Sequence, residues 1–422
     1  MPAAPSTVFE TGLSEHVPHW QEVYRDLHAH PELAFVEHRT AAVVAREMRA
    51  AGGWDVTEGV GGTGVVGVLR NGAGPVVLLR ADMDGLPVQE DTGLSYASAE
   101  AGCMHACGHD VHATCLLGAC HQLAAHPDAW RGTVVAVFQP AEEIGKGARA
   151  MLDDGLLERF PAPAVCLGQH VGPFPAGVVV TRPGTLMAAA DSLRVSLHGA
   201  GGHASTPHLA VDPVVLAAAV VMRLQAFSAR QASRSPATML TAGALHAGTA
   251  ANIIPDRAEL LLSLRTFSTQ AREEALATVE RIVRSEAETF QVPKEPDIER
   301  YDSFPLTANT DGVTQQVIDA LDATGAPVRT LPSPLAASED FGVFGTAAGC
   351  PSVFWHFGGT DTALFSAEDL ARLEEGTLPP GLPSNHSPRY APDPAPALSA
   401  GMRNLLAAAA VWLCPDGTGR SC

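Results

Sequence analysis

The chain has 422 residues and a formal net charge of −19, with 27 Lys and Arg against 46 Asp and Glu. At roughly 100–200 residues per domain, that length fits two domains or three. The charge excludes a nucleic-acid backbone or an anionic membrane surface as partner, because both demand an excess of Lys and Arg.

Met1–Glu10 has no basic start followed by an apolar run, so no secretory signal is expected. No run of 18 or more apolar residues occurs, so no membrane span is expected either. The eight Cys are scattered and read as reduced thiols of a cytoplasmic protein, not as a disulfide framework. Trp20–His30 and Arg39–Ala51 read as helices, the second stopped by Gly52-Gly53. Gly61–Leu69 and Pro75–Arg80 are short β-type runs. Val76–Leu79 is continuously apolar, as in a strand buried on both faces of a largely parallel sheet. It runs into Asp82 and Asp84, at the strand end where open α/β sheets keep their sites.

The densest stretch follows. Met104–His112 puts one thiol and three imidazoles within nine residues. Cys107 and His109 lie two apart, just before a helix with the apolar stripe Val111, Cys115, Leu116, Ala119 and Leu123. A loop there can aim both side chains at one centre, and a thiolate with neutral imidazoles suits a borderline-soft divalent metal. The competing reading is an inert buried Cys among scattered surface His. Thr133–Phe138 is a strand leading into Glu142-Glu143, and Ala164–Leu167 a strand leading into Gln169-His170. Taken singly, Asp82 with Asp84 is an ordinary turn pair and Glu142-Glu143 a solvated acidic turn. Together these strand ends line one sheet edge beside Cys107 and His109.

From about Thr185 the pattern changes. Leu193, Val195 and Leu197 alternate, giving a strand with one exposed face. Asp212-Pro213 starts a helix running to about Phe227. Ala237–Ala244 and Ala258–Phe267 are strands, Gln270–Thr289 a helix, and Asp297–Tyr301 a strand. The order β-α-β-β-α-β is that of a ferredoxin-like unit. The expected fold is therefore α/β: a domain with a mixed, largely parallel sheet flanked by helices, and an inserted ferredoxin-like α+β domain, to which the motif resemblance below assigns the roles of catalytic domain and of lid and dimerisation domain. Residues 1–185 and 303–422 form the first, and 186–302 the second. In the last part, Asp311–Thr324 is a helix, Ser338–Phe341 starts another, Pro351–Phe357 is a strand, and Ser366–Pro383 a surface loop with one short helix. His386-Ser387-Pro388 precedes a final helix, Pro394–Leu413.

In this order, Leu27–Leu33, Arg80–Pro87, Met104–His112, Gln139–Glu143, Gln169–Val171, Gly201–Ala204, Ala251–Asp256, Ser338–Phe341 and His386–Pro388 resemble the motifs of the M20-type metallopeptidase superfamily. The likeness is to the amidohydrolase branch that contains hippurate hydrolases and hydrolases of indole-3-acetyl amino acid conjugates. Gly85 stands where that family usually has Ala, and Gln169 where Leu is commoner. The resemblance implies two divalent metal ions held by Cys107, His109, Glu143, His170 and His386, with Cys107 in the place of a bridging Asp. It implies Glu142 as general base and Asp84 as the residue orienting the site. His203 matches a His that reaches the active site of the partner subunit, and Asn252 and Arg265 lie where other members contact the substrate; for Arg265 a salt bridge is an equal alternative. His105 and His112 are assigned to support or substrate lining, and His28, His30 and His38 to surface or structural roles.

The expected function is hydrolysis of the amide of an N-acyl or N-aroyl amino acid, a small-molecule substrate, to a carboxylic acid and a free amino acid. A thiolate ligand favours Zn²⁺, with Mn²⁺, Co²⁺ or Ni²⁺ as substitutes. The protein is expected to be cytoplasmic, a homodimer through the inserted domain, with no nucleic-acid or membrane partner. The alternatives are a metallo-dipeptidase or aminoacylase of the same superfamily, and a catalytically silent metal-binding regulatory module.

Overall fold

The computed structural model describes residues 12–232, 238–374, 379 and 381–414. Met1–Glu10, Cys422 and Ala237, the expected first residue of a strand, lie outside them. The chain divides into two compact units. The larger takes the residues up to Leu186, Ala308–Ser333, and those from Asp340 onward; the smaller takes Met187–Thr307 and Pro334–Glu339.

In the larger unit the strands are β1 (Asp55–Val60), β2 (Gly64–Asn71), β3 (Val76–Asp82), β4 (Gly132–Gln139), β5 (Val165–Pro175), β6 (Val179–Thr181), β7 (Val328–Thr330) and β8 (Ser352–Thr360). They form one eight-stranded sheet in the order β1-β2-β4-β3-β5-β8-β6-β7. The central neighbours β4, β3, β5 and β8 all pair parallel, and β1, β2 and β6 add antiparallel ladders. The apolar runs of these central strands are buried on both faces, as parallel pairing under helices requires.

Register decides what shares the sheet edge. Asp82 at the end of β3 pairs with Gln139 at the end of β4, so Asp84 and Glu142-Glu143 leave the sheet side by side. On the other flank Arg80 pairs with Gly168, which brings His170 level with Asp82. His170 in turn pairs with His356 of β8.

The helices of this unit include α1 (Leu13–Ala29), α2 (His38–Ala51), α3 (His109–Ala125), α4 (Asp311–Asp322), α5 (Gly342–Ala348) and α6 (Pro394–Leu413). Helix α3 packs against α1, α2 and α6 and is buried along nearly its whole length. That is why apolar residues continue around it beyond one stripe, and why its buried polar groups, His109, Asp110 and His112 among them, are those that meet the site or another buried partner. Helix α1 begins at Leu13, earlier than the expected Trp20, and runs through Pro18. The proline costs one backbone hydrogen bond near the helix start, and burial of Leu13 and Trp20 offsets it.

The smaller unit has strands Ala189–His198, Thr238–Ala247, Arg257–Thr266 and Asp297–Phe304, with helices Pro213–Ala232 and Thr269–Thr289. Taken as first to fourth, the strands lie in the order second-third-first-fourth, all antiparallel. This is the ferredoxin-like arrangement read from the alternation. Leu216, Ala217, Val220 and Leu224 of the first helix are buried against the sheet core. By length and composition alone, Pro213–Arg230 is apolar enough to cross a membrane. The segment Pro334–Glu339 joins this unit through a bridge between Leu335 and Met187.

Candidate metal centre

Cys107, Gly108 and His109 sit at the start of α3. Gly108 has φ +83°, and a Cβ there would stand 2.4 Å from Val171 Cγ1. Only glycine meets both conditions, so it lets the backbone turn and approach β5 while the thiol and the imidazole on either side are presented together. The Cys107 sulfur lies 3.4 Å from His170 Nε2. Cys107, His109 and His170 offer donor atoms all within 4.8 Å of one another, and so do Cys107, Glu143 and His386. The thiol thus belongs to both groups.

Hydrogen bonds fix which nitrogen each ring presents. His170 Nδ1 donates to its neighbour's carbonyl, Val171 O, at 2.7 Å, leaving the Nε2 lone pair facing the thiol. His109 Nδ1 lies 3.1 Å from Asp84 Oδ1, and Asp84 Oδ2 accepts the Glu143 N–H at 3.1 Å. One carboxylate therefore holds a ring and a backbone from two different loops. His386 Nε2 stands 3.4 Å from Glu143 Oε2, and its own N–H donates to Ala106 O at 2.8 Å. Asn385 Nδ2 donates to the carbonyls of Cys107 and Val171.

Two observations test whether this arrangement fits divalent cations. His109 Nε2 and Glu143 Oε1 are buried and have no hydrogen-bond partner. Such orphaned atoms are costly unless something pairs with them. The donor set of thiol, imidazoles and carboxylate is also the one that borderline-soft divalent ions prefer. The residues fit the group.

The local electrostatics agree. Burial and then the neighbouring Glu143, Glu142 and Asp82 push the Cys107 thiol well above the usual range. Burial disfavours charge on His109, but Asp82, Asp84 and Glu143 outweigh it and raise the imidazole to about 10. Burial lifts Glu143 to about 7. Excess negative charge packed into a dry site is the condition a cation relieves.

Glu142 is buried beside these donors, 4.0 Å from His109 Nε2. The turn that carries it puts Ala141 at φ +51°, and Glu37 Oε1 accepts the Ala141 N–H at 2.8 Å. Behind it, Arg80 is fully buried and donates to Asp82, Gln139 and Asp340.

His203, Asn252 and Arg265 belong to the smaller unit. His203 and Asn252 line an open concavity of about 530 Å³ with Gly202, Ile254 and Asp256. His203 Nδ1 accepts the Ser205 N–H, which leaves Nε2–H as an outward donor. Arg265 does not line that concavity. It donates to Ala336 O at 2.6 Å and contacts Ser338 Oγ at 3.1 Å, tying down the returning segment.

One residue beside the site escaped the sequence reading, and two that it named gain a physical reason. His356 packs its ring 5.6 Å from that of His170 and is held near 4, first by burial and then by His112. His28, read as surface or structural, is fully buried, with Nδ1 2.6 Å from Asp110 and Nε2 3.2 Å from Glu90. The uncommon Gln169 has a local reason: it accepts from the Trp355 indole and donates to Gly401 O.

Residues 78–382 match peptidase family M20/M25/M40. Over 328 residues the chain is 36% identical to thermostable carboxypeptidase 1 of Saccharolobus solfataricus, covering 76% of this chain and 82% of that one. It is also 36% identical over 346 residues to the hippurate hydrolase of Campylobacter jejuni, covering 79% and 87%. Among solved structures it resembles a Bacillus subtilis protein described as a dinuclear metal-binding peptidase of the M20 family, with TM-score 0.75, 27% identity, and coverage of 94% and 99%.

Proposed function

The chain belongs to peptidase family M20/M25/M40 and is a metal-dependent hydrolase, and from that premise we propose that it cleaves the amide of N-acyl or N-aroyl amino acids. The observation that carries the reading is the Cys107 thiol common to two donor groups. In the proposal Cys107, His109 and His170 hold one cation, and Cys107, Glu143 and His386 the other. Zn²⁺ is the first choice because a thiolate is among the donors. Bound there, the cations supply a Lewis acid and bring the pKa of a water from about 15.7 to about 7.

The chain's own residues do the rest. Glu142 takes a proton from the attacking water and returns it to the leaving amine, a transfer suited to a buried carboxylate beside the donors. Asp84 keeps His109 in the tautomer whose Nε2 points inward. Across the proposed dimer, His203 presents an N–H to the carbonyl oxygen of a substrate in the partner subunit's site, with Asn252 as its neighbour and Arg265 as a support of the smaller unit. A homodimer through the smaller unit, in the cytoplasm, belongs to the same proposal.

The carboxypeptidase relative favours a second substrate class, because both chemistries release an amino acid with a free carboxylate next to the cut amide. A panel of hippurate, other N-acyl amino acids and dipeptides, offered to chelated and metal-restored protein, tests this. Restored protein should release amino acid from the acyl panel, and chelated protein should not. Hydrolysis of dipeptides alone overturns the acyl preference, and equal rates after chelation overturn the metal dependence.

A further inference from the structure

Away from the metal centre, the sulfurs of Cys166 and Cys350 lie 3.6 Å apart, the one thiol–thiol contact among the described residues. Cys166 is fully buried near the start of β5, and Cys350 is half-buried just before β8. The two chain segments are already fastened together here. Cys166 N–H donates to Pro351 O at 2.9 Å, and Ser352 pairs with Cys166 in the parallel ladder. Cys350 is held on its own side by its N–H bond to Gly345 O at 3.1 Å. Bringing the sulfurs from contact to the roughly 2.05 Å of a bond asks for side-chain rotation, not for separated strands to meet.

We propose that Cys166 and Cys350 form a reversible dithiol modification site that hydroperoxides oxidise to an intramolecular disulfide. Cys350 is the attacking partner, because it is the less buried of the two, Cys166 being fully enclosed. The hydrogen bond from the Cys166 thiol also holds Cys350 below the ordinary thiol range, and raises Cys166. The Cys350 thiolate attacks the peroxide, an S–O bond forms, the O–O bond breaks, and water or an alcohol leaves with a proton. The Cys166 sulfur then attacks the sulfenic sulfur. The S–S bond forms, the S–O bond breaks, and hydroxide departs with the Cys166 proton as water. Two thiols lose two electrons, and the peroxide gains them.

The position keeps this chemistry apart from hydrolysis. Cys166 and His170 are four residues apart on one strand, roughly 13 Å at ~3.3 Å per residue. The bond would join residues 184 apart and clamp β5 to β8 at the end remote from the donors.

The test uses metal-loaded, full-length protein treated with stoichiometric hydrogen peroxide, then alkylated, digested and mapped by mass spectrometry. The expected result is a 166–350 cross-linked peptide about 2 Da lighter than its two thiol parents, reversed by dithiothreitol. In Cys166→Ser, given a second equivalent of peroxide, Cys350 lacks its resolving partner and should advance to the sulfinic acid, about 32 Da heavier, with no cross-link. The wild-type map stands without that variant should it not fold. Both thiols recovered reduced in folded protein, or a cross-link to any other Cys, overturns the proposal.

Discussion

The Val171 N–H donates to His112 Nε2 at 2.7 Å, which leaves Nδ1 as the nitrogen that carries the proton. That proton goes to Asp82 Oδ1, 2.5 Å away. This ring thus joins three elements of the site: α3, the end of β3, and β5 at the residue after His170. His112→Ala leaves a buried N–H and a carboxylate oxygen without partners, at a cost of about 1–3 kcal/mol each. The urea midpoint should fall accordingly. His112→Asn, whose amide can still donate toward Asp82, should recover part of it; equal midpoints for the parent and the Ala variant would show the bonds to be incidental.

Metal uptake should release protons. Without a cation, His109 titrates near 10, raised by Asp82, Asp84 and Glu143 against the effect of burial, and Cys107 lies well above its usual range through burial and nearby acids. Both therefore hold protons at neutral pH, and ligation must remove one from each. Affinity then rises with pH. Titration calorimetry in two buffers of different ionisation enthalpy reads the number directly, and uptake with no proton release contradicts the assignment.

Two carboxylates beside the donors should separate binding from turnover. Asp84 accepts on both oxygens, from His109 and from the Glu143 backbone, and an amide cannot serve both alike. Asp84→Asn should weaken metal affinity by about 10–100-fold. Glu142→Gln should keep the metal and lose about 10²–10⁴-fold in rate. Metal analysis beside a hydrolysis assay distinguishes them, and a Glu142→Gln enzyme as fast as the parent would falsify the base.

Buried His28 predicts a pH profile of stability. Burial opposes its charge, yet Asp110 and Glu90 outweigh burial and raise it from 6.5 to about 10. A group raised on folding stabilises fully below its unfolded pKa and stops doing so as pH climbs through its folded one. The contribution is thus complete at pH 6 and fades between about 6.5 and about 10. His28→Leu takes the cation from two carboxylates that keep only neutral donors, Ser98 and Thr92 for Glu90 and Val111 for Asp110, at about 3–5 kcal/mol, and should flatten that decline. Denaturant curves at pH 6 and 9 for both proteins give the difference; identical slopes would remove His28 as its source.

The sequence made legible what is local. Apolar strands ending in Asp82, Glu142 and His170 announce themselves because burial stops where the polar groups begin. The small unit's strand order followed from alternation and helix period. What stayed hidden is long-range. Asp340 meets Arg80 260 residues away, and Asp110 meets His28 82 residues away. An isolated acid in a sequence gives no sign of whether its partner is solvent or a distant cation. His356 was masked by the apolar strand around it, and Pro334–Glu339 by having no strand pattern of its own.

The loop of Asn385 and His386 is bonded to Ala106 and Cys107, with Asn385 and Cys107 278 positions apart along the chain. On a ribosome adding ~5–20 residues per second, Cys107 emerges tens of seconds before that loop exists. The donor group that includes His386 can therefore be completed only at the close of synthesis, whereas the residues of the other group, Cys107, His109 and His170, are all made long before.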